Sequence, residues 1–131
     1  MKKLVMALVV LLFGVLTVEC RSLVPVQNIE HQTVPVHDKQ KVEQAIIAGG
    51  MRAKAWQISK EKDGLFIGTF IIRTHKAVVE IPYNKDEYSI IYKSSENLRY
   101  NSKKNLIHPR YNKMVLNLSR LINQALLQQK V

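Results

Sequence analysis

Only one cysteine, Cys20, occurs in the 131-residue chain, which excludes an internal disulfide and hence a covalently stapled mini-domain. Glycine and proline are sparse, at 5 and 4 residues, and no low-complexity tract, heptad pattern or internal repeat is present, so collagen-like, linker-like and solenoid architectures are excluded. The signatures of common catalytic chemistries are missing too: there is no nucleophile elbow, glycine-rich phosphate loop, paired catalytic carboxylates or His-Glu-x-x-His stretch. The composition therefore points away from an enzyme and calls for no cofactor and no metal. Acidic side chains stop at Glu96, after which Arg99, Lys103, Lys104, Arg110, Lys113, Arg120 and Lys130 follow unopposed.

What is present begins with an address. Lys2 and Lys3 precede an apolar run from Leu4 to Val18, and charge resumes at Glu19, the order of a signal peptide. Fifteen apolar residues fall short of the roughly 20 a helix needs to cross the hydrocarbon core, so cleavage is expected over a permanent span, with an uncleaved anchor as the alternative. Cys20 directly follows this run and is the expected lipid acceptor, although Glu19 stands where lipoprotein signals carry a small residue. Acyl chains, at about 0.8 kcal/mol per buried methylene, would hold the protein on the periplasmic side of a membrane, more readily the outer than the inner one. Without them a soluble periplasmic product results.

The expected division is a signal peptide over residues 1–19, a lipid-attachment site and flexible tether over 20–37, and one α+β domain over 38–131. Two prolines and no regular period mark the tether. Asp38 caps a first helix that Gly49-Gly50 is expected to stop. Trp56 and Ile58 alternate with polar neighbours, Asp63-Gly64 is a hairpin turn, and Leu65 to Arg73 is apolar on both faces. Two further alternating stretches, Ala77 to Tyr83 and Tyr88 to Lys93, complete a four-stranded antiparallel meander. A polar stretch from Ser94 to Asn105 leads to Pro109, which suits a helix start, and Tyr111, Met114, Val115, Leu118, Leu121, Ile122 and Ala125 form a wide apolar stripe. The expected order is α-β-β-β-β-α with both helices on one face.

The formal charge is +10, and loss of Lys2, Lys3 and Glu19 with the leader leaves +9. Arg99, Lys103, Lys104, Arg110 and Lys113 are the candidates for binding an anionic surface: phospholipid, lipopolysaccharide phosphates or acidic cell-wall polymer. Another envelope protein is a further candidate partner. Tyr100 and Tyr111 among these cations resemble a single-strand nucleic-acid platform, but export argues against that partner. Of the four histidines, His31 and His37 fall in the tether. His75 and His108 would support acid/base cleavage of a phosphodiester only if folding unites them.

The segments Arg73-Thr74-His75-Lys76-Ala77-Val78-Val79-Glu80-Ile81, Tyr88-Ser89-Ile90-Ile91-Tyr92, Ser95-Glu96-Asn97-Leu98 and Ile107-His108-Pro109-Arg110-Tyr111-Asn112-Lys113 occur in that order. Together they resemble a family of small, functionally uncharacterised proteobacterial lipoproteins, over roughly Val42 to Ile122. The resemblance implies a signal peptide, a lipidated cysteine and an envelope location, and it carries no activity; Met114 stands where relatives commonly place Trp. Taken with the residue chemistry, it singles out Arg73, His75, Tyr88, Ser95, Asn97, His108, Tyr111 and Asn112 as a polar cluster joining the strand ends to the last helix. The resulting expectation is a non-enzymatic envelope lipoprotein with a binding or scaffolding role, and the alternative is a small secreted basic hydrolase using His75 and His108.

Overall fold

A computed structural model describes residues 22–130, so the expected signal peptide over residues 1–19 and the expected lipid acceptor Cys20 lie outside the described residues. The chain is α+β. Its first helix, α1 (Lys39–Arg52), is capped by Asp38, whose carboxylate accepts from the amides of Gln40 and Lys41 at 2.9 and 3.2 Å. Three antiparallel hairpins follow, through β3 (Trp56–Lys62), β4 (Leu65–Ile72), β5 (His75–Pro82) and β6 (Glu87–Glu96). Asp63-Gly64 makes the first turn, with Gly64 at φ +83°, a conformation that suits glycine.

The tether expected before Asp38 is instead part of the fold. It supplies β1 (Val24–Pro25), paired with β7 (Leu106–Ile107), and β2 (Ile29–Thr33), paired with β6. The sheet therefore has five strands, in the order β2-β6-β5-β4-β3, where four were expected. The physical reason is that β6 has two edges. One is satisfied by β5; the other would leave unpaired amides and carbonyls next to buried Tyr88 and Ile90, and the incoming chain pairs them. Its proline content hid this, since Pro25 and Pro35 sit in a two-residue strand and beyond the end of β2, where no ladder donor is missing.

The second misreading concerns Gly49-Gly50. The helix runs through both and ends at Arg52, with the Ala53 amide bonding to the Gly49 carbonyl. These glycines allow close approach: a Cβ on Gly49 would lie 2.7 Å from the Ile122 Cα, backbone that cannot yield. The expected stop is a helix crossing.

The last helix, α2 (Pro109–Gln129), opens with Pro109 in its first turn and buries Tyr111, Val115, Leu118, Ile122, Ala125 and Leu126, largely the expected stripe. It lies beside α1 on one face of the sheet. Phe66, Phe70, Ala77, Val79, Ile81 and Ile90 meet the helices, while Thr69, Glu80 and Lys93 point away. Two polar ties fix the helix against sliding. The Trp56 indole donates to the Met114 carbonyl at 3.2 Å, and the buried Tyr88 hydroxyl donates to Asn123 Oδ1 at 2.7 Å while lying 2.8 Å from Ser119 Oγ.

Two measurements check this packing. Gly49→Ala adds helix propensity but forces α1 off Ile122, so a net loss of about 1–3 kcal/mol in chemical denaturation is expected. Burial pushes the Tyr88 hydroxyl up to about 12 from 10.0. A raised folded-state value means that this contribution is intact below pH 10 and is lost as pH climbs to 12. Roughly 2–3 kcal/mol should therefore vanish across that window, and Tyr88→Phe should flatten that part of the stability profile.

Candidate functional site

The antiparallel topology leaves one end of the domain with balanced charges and the other with an excess of cations. At one end, the β3–β4 and β5–β6 turns present Asp63, Asp86 and the neighbouring Glu87, which pair with Lys39, His37 and His31 at 2.6, 3.0 and 3.0 Å. Lys60 and Glu43 add a pair at 3.1 Å, and the bonds from Tyr83 and Lys60 hold the Glu43 carboxyl below its usual range. At the other end lie the β4–β5 turn, the segment after β6 and the start of α2. Arg73, Arg99, Lys103, Lys104, Arg110 and Lys113 are all exposed there. Glu96 is the acid that ends β6 beside them.

The segment between β6 and β7, part of the stretch from Ser94 to Asn105 expected only as polar, is a tight hairpin. Asn101 and Leu106 exchange two backbone bonds at 2.8 and 3.1 Å, and the Asn101 side chain accepts from the amides of Lys103 and Lys104, both at 3.1 Å. The base of the hairpin is sealed by the His108 amide on the Leu98 carbonyl at 2.9 Å, with Leu98 buried. Backbone strain gathers here: Arg73, Asn97, Arg99 and Asn105 all have φ between 53° and 57°. Asparagine tolerates that region through its short polar side chain, but arginine gains nothing from it, so the surrounding packing holds the two arginines in place. The two lysines thus project from a preorganised tip.

His75 and His108, 33 positions apart in sequence, meet at this end with ring centroids 6.4 Å apart and planes at 24°. Their tautomers are set by different partners. The Asn97 carbonyl accepts from His75 Nδ1 at 2.7 Å, because a carbonyl cannot donate, and His75 Nε2 is left as an acceptor. His108 Nδ1 accepts the Arg110 amide at 3.0 Å, so the proton of its neutral ring sits on Nε2. In the neutral tautomers one ring therefore carries its proton on Nδ1 and the other on Nε2.

The expected polar cluster divides into three groups. Around the histidines, the Asn97 amide donates to Thr74 Oγ1, and Ser95 Oγ lies 2.8 Å from the Tyr92 hydroxyl. Tyr92 in turn stacks edge-on with Tyr111 at 5.4 Å and packs on Tyr100 at 4.4 Å. Tyr111 is fully buried, with no partner for its hydroxyl among the described residues, and burial raises its pKa; a buried ring offers no stacking face to a nucleic-acid base. Tyr88 stands apart, bonded farther along α2 as described above. Asn112 has a different task. Its Oδ1 accepts the Gln27 amide at 3.0 Å and its Nδ2 donates to the Pro25 carbonyl at 2.9 Å, which clamps the N-terminal segment to α2. That clamp had no sequence signal, since its partners lie 85 and 87 positions away.

A groove of about 220 Å³ beside these residues is lined by Pro109, Arg110, Lys113 and Met114, an apolar floor with two cations. Among the described residues no three His, Cys, Asp or Glu side chains gather as a metal site needs. No described helix is long and apolar enough to cross a membrane. Comparisons with protein-family models, curated proteins and solved structures found no match to the chain.

Asn112→Ala should release β1 while leaving the sheet intact. Amide hydrogen exchange at Gln27 and Val26 should accelerate well beyond that of β4 and β5, with a global loss of about 1–3 kcal/mol for the two partly buried bonds.

Proposed function

We propose that this protein is a non-enzymatic cell-envelope lipoprotein, anchored through Cys20 on the periplasmic side of a membrane, that binds phosphate-bearing anionic groups at its basic end. Export and lipidation rest on the order Lys2-Lys3, apolar run, Cys20. The observation that carries the binding role is the hairpin braced by Asn101, which fixes the backbone of Lys103 and Lys104 at the end of the domain where Arg110 and Lys113 line a groove. Preorganised cations lose little conformational entropy on meeting an anion, so they bind more tightly than the same charges on a floppy loop. Anionic lipid and lipopolysaccharide supply such phosphates, and an acidic face of another envelope protein would meet the same cations.

One observation favours a second reading. The approach of the His75 and His108 rings to 6.4 Å is what acid/base cleavage of a phosphodiester would use, giving a small secreted basic hydrolase. The two readings part on turnover. The binding role expects no release of nitrophenol from bis(p-nitrophenyl) phosphate, whereas a release lost in both His75→Ala and His108→Ala would establish the hydrolase. For the anchor, metabolic labelling with a palmitate analogue should mark the natural chain and not Cys20→Ala. An unlabelled intact chain dissolved in cytosol would overturn the envelope reading as a whole.

A further inference from the structure

The N-terminal segment, expected to hold the domain clear of the membrane, leads directly to the basic end. In the β1–β7 ladder Val24 opposes Ile107 and Pro25 opposes Leu106, and the Val26 amide bonds to the carbonyl of Asn105, the last residue of the lysine-bearing turn, at 3.0 Å. Continued by two residues, the antiparallel register would set Leu23 and Ser22 opposite His108 and Pro109, and Pro109 lines the groove with Arg110, Lys113 and Met114. Asn112 then locks this segment to α2. Two peptide units separate Cys20 from Ser22, at most roughly 7 Å of chain, and an uncleaved apolar run ending at Val18 would leave only a little more.

We propose that the basic end is a membrane-docking face: the anchor and the cations act on the same side of the domain. Lys103, Lys104, Arg110 and Lys113 are thereby pressed onto anionic phospholipid headgroups of the leaflet that holds the anchor. The proposal rests on the lipoprotein reading above and adds an orientation to it. Three observations converge. The chain enters the domain at the cationic end, as the β1 register shows. At the far end of the strands the acids are balanced, Asp63 by Lys39, Asp86 by His37 and the adjacent Lys85, so the excess positive charge that an anionic leaflet attracts lies at the entry end. Finally, Tyr100, 37% exposed and packed on Tyr92, directly precedes the hairpin that carries Lys103 and Lys104, and an amphipathic ring close to cations in the chain is what headgroup depth accommodates. An acyl anchor and a basic patch are the two signals that together make membrane attachment stable, each cation near the surface strengthening it roughly fivefold.

The test uses the full lipidated chain in vesicles of phosphatidylethanolamine with either phosphatidylglycerol or phosphatidylcholine. Ser102→Cys, on the hairpin tip, and Lys85→Cys, in the β5–β6 turn, each receive a nitroxide. Docking predicts that the label at 102 is several-fold less accessible to a water-soluble relaxant than the label at 85. That difference should hold on phosphatidylglycerol, shrink at high salt, and disappear on phosphatidylcholine and in the double variant Lys103→Glu, Lys104→Glu. Equal accessibility at both positions on anionic vesicles, with Cys20 acylated, overturns the docking and leaves the lipoprotein reading standing. Protection at 102 that is the same on both vesicle types also overturns it, since headgroup charge would then play no part. A Cys20 thiol that still takes the label shows that acylation failed, which removes the anchor and the docking together.

Discussion

The docking of α2 onto the sheet is the constraint from which the other features hang. Its apolar stripe supplies the stabilisation: Tyr111, Val115, Leu118, Ile122 and Leu126 are each almost fully buried, at roughly 1.5–3 kcal/mol for a large apolar side chain. A greasy stripe alone can slide or roll. Polar ties to Met114, Ser119 and Asn123, together with the Gly49 contact on Ile122, choose one position along the sheet. Once that position is chosen, the start of the helix stands at the strand ends that carry His75 and Asn97. The basic end is a consequence of that placement.

Rigidity follows from the same arrangement. The β6–β7 hairpin hangs between two fixed points, the end of β6 and the His108 cap of α2, and it is braced from within by Asn101. Left-handed conformations at Arg73, Arg99 and Asn105 cost energy that only a well-anchored frame can absorb. The N-terminal segment adds a further brace, because Asn112 satisfies one donor and one acceptor that β1 leaves outside its short ladder. The cations are therefore displayed on a stiff surface, and their mutual repulsion is offset by packing underneath rather than by acidic partners in the same segment.

Local patterns were legible where a residue's role depends on its immediate neighbours. The Asp38 cap, the Asp63-Gly64 turn, the alternation of Ala77, Val79 and Ile81 and the stripe from Tyr111 to Ala125 all follow from period and turn chemistry, and the structure contains each of them. Misreadings arose where the partner is distant. Gly49-Gly50 has the composition of a helix stop, and only the backbone of Ile122 explains why glycine is needed in mid-helix. The stretch from Val24 to Thr33 has no period of its own, because an edge strand takes its hydrogen bonds from β6 and needs little amphipathic pattern.

From the sequence alone came the α+β class, the excess of positive charge after Glu96 and the lone cysteine behind an apolar run. These are properties of composition and short-range order, which a chain carries before it folds. Tertiary structure decided that His75 meets His108, that Tyr88 does not join them, that the segment before Asp38 is a strand of the sheet, and that this segment enters at the cationic end. Each of these relations depends on contacts between residues more than 30 positions apart. Such contacts are settled by how an amphipathic helix and a twisted sheet bury their faces against each other, and no local pattern encodes that solution.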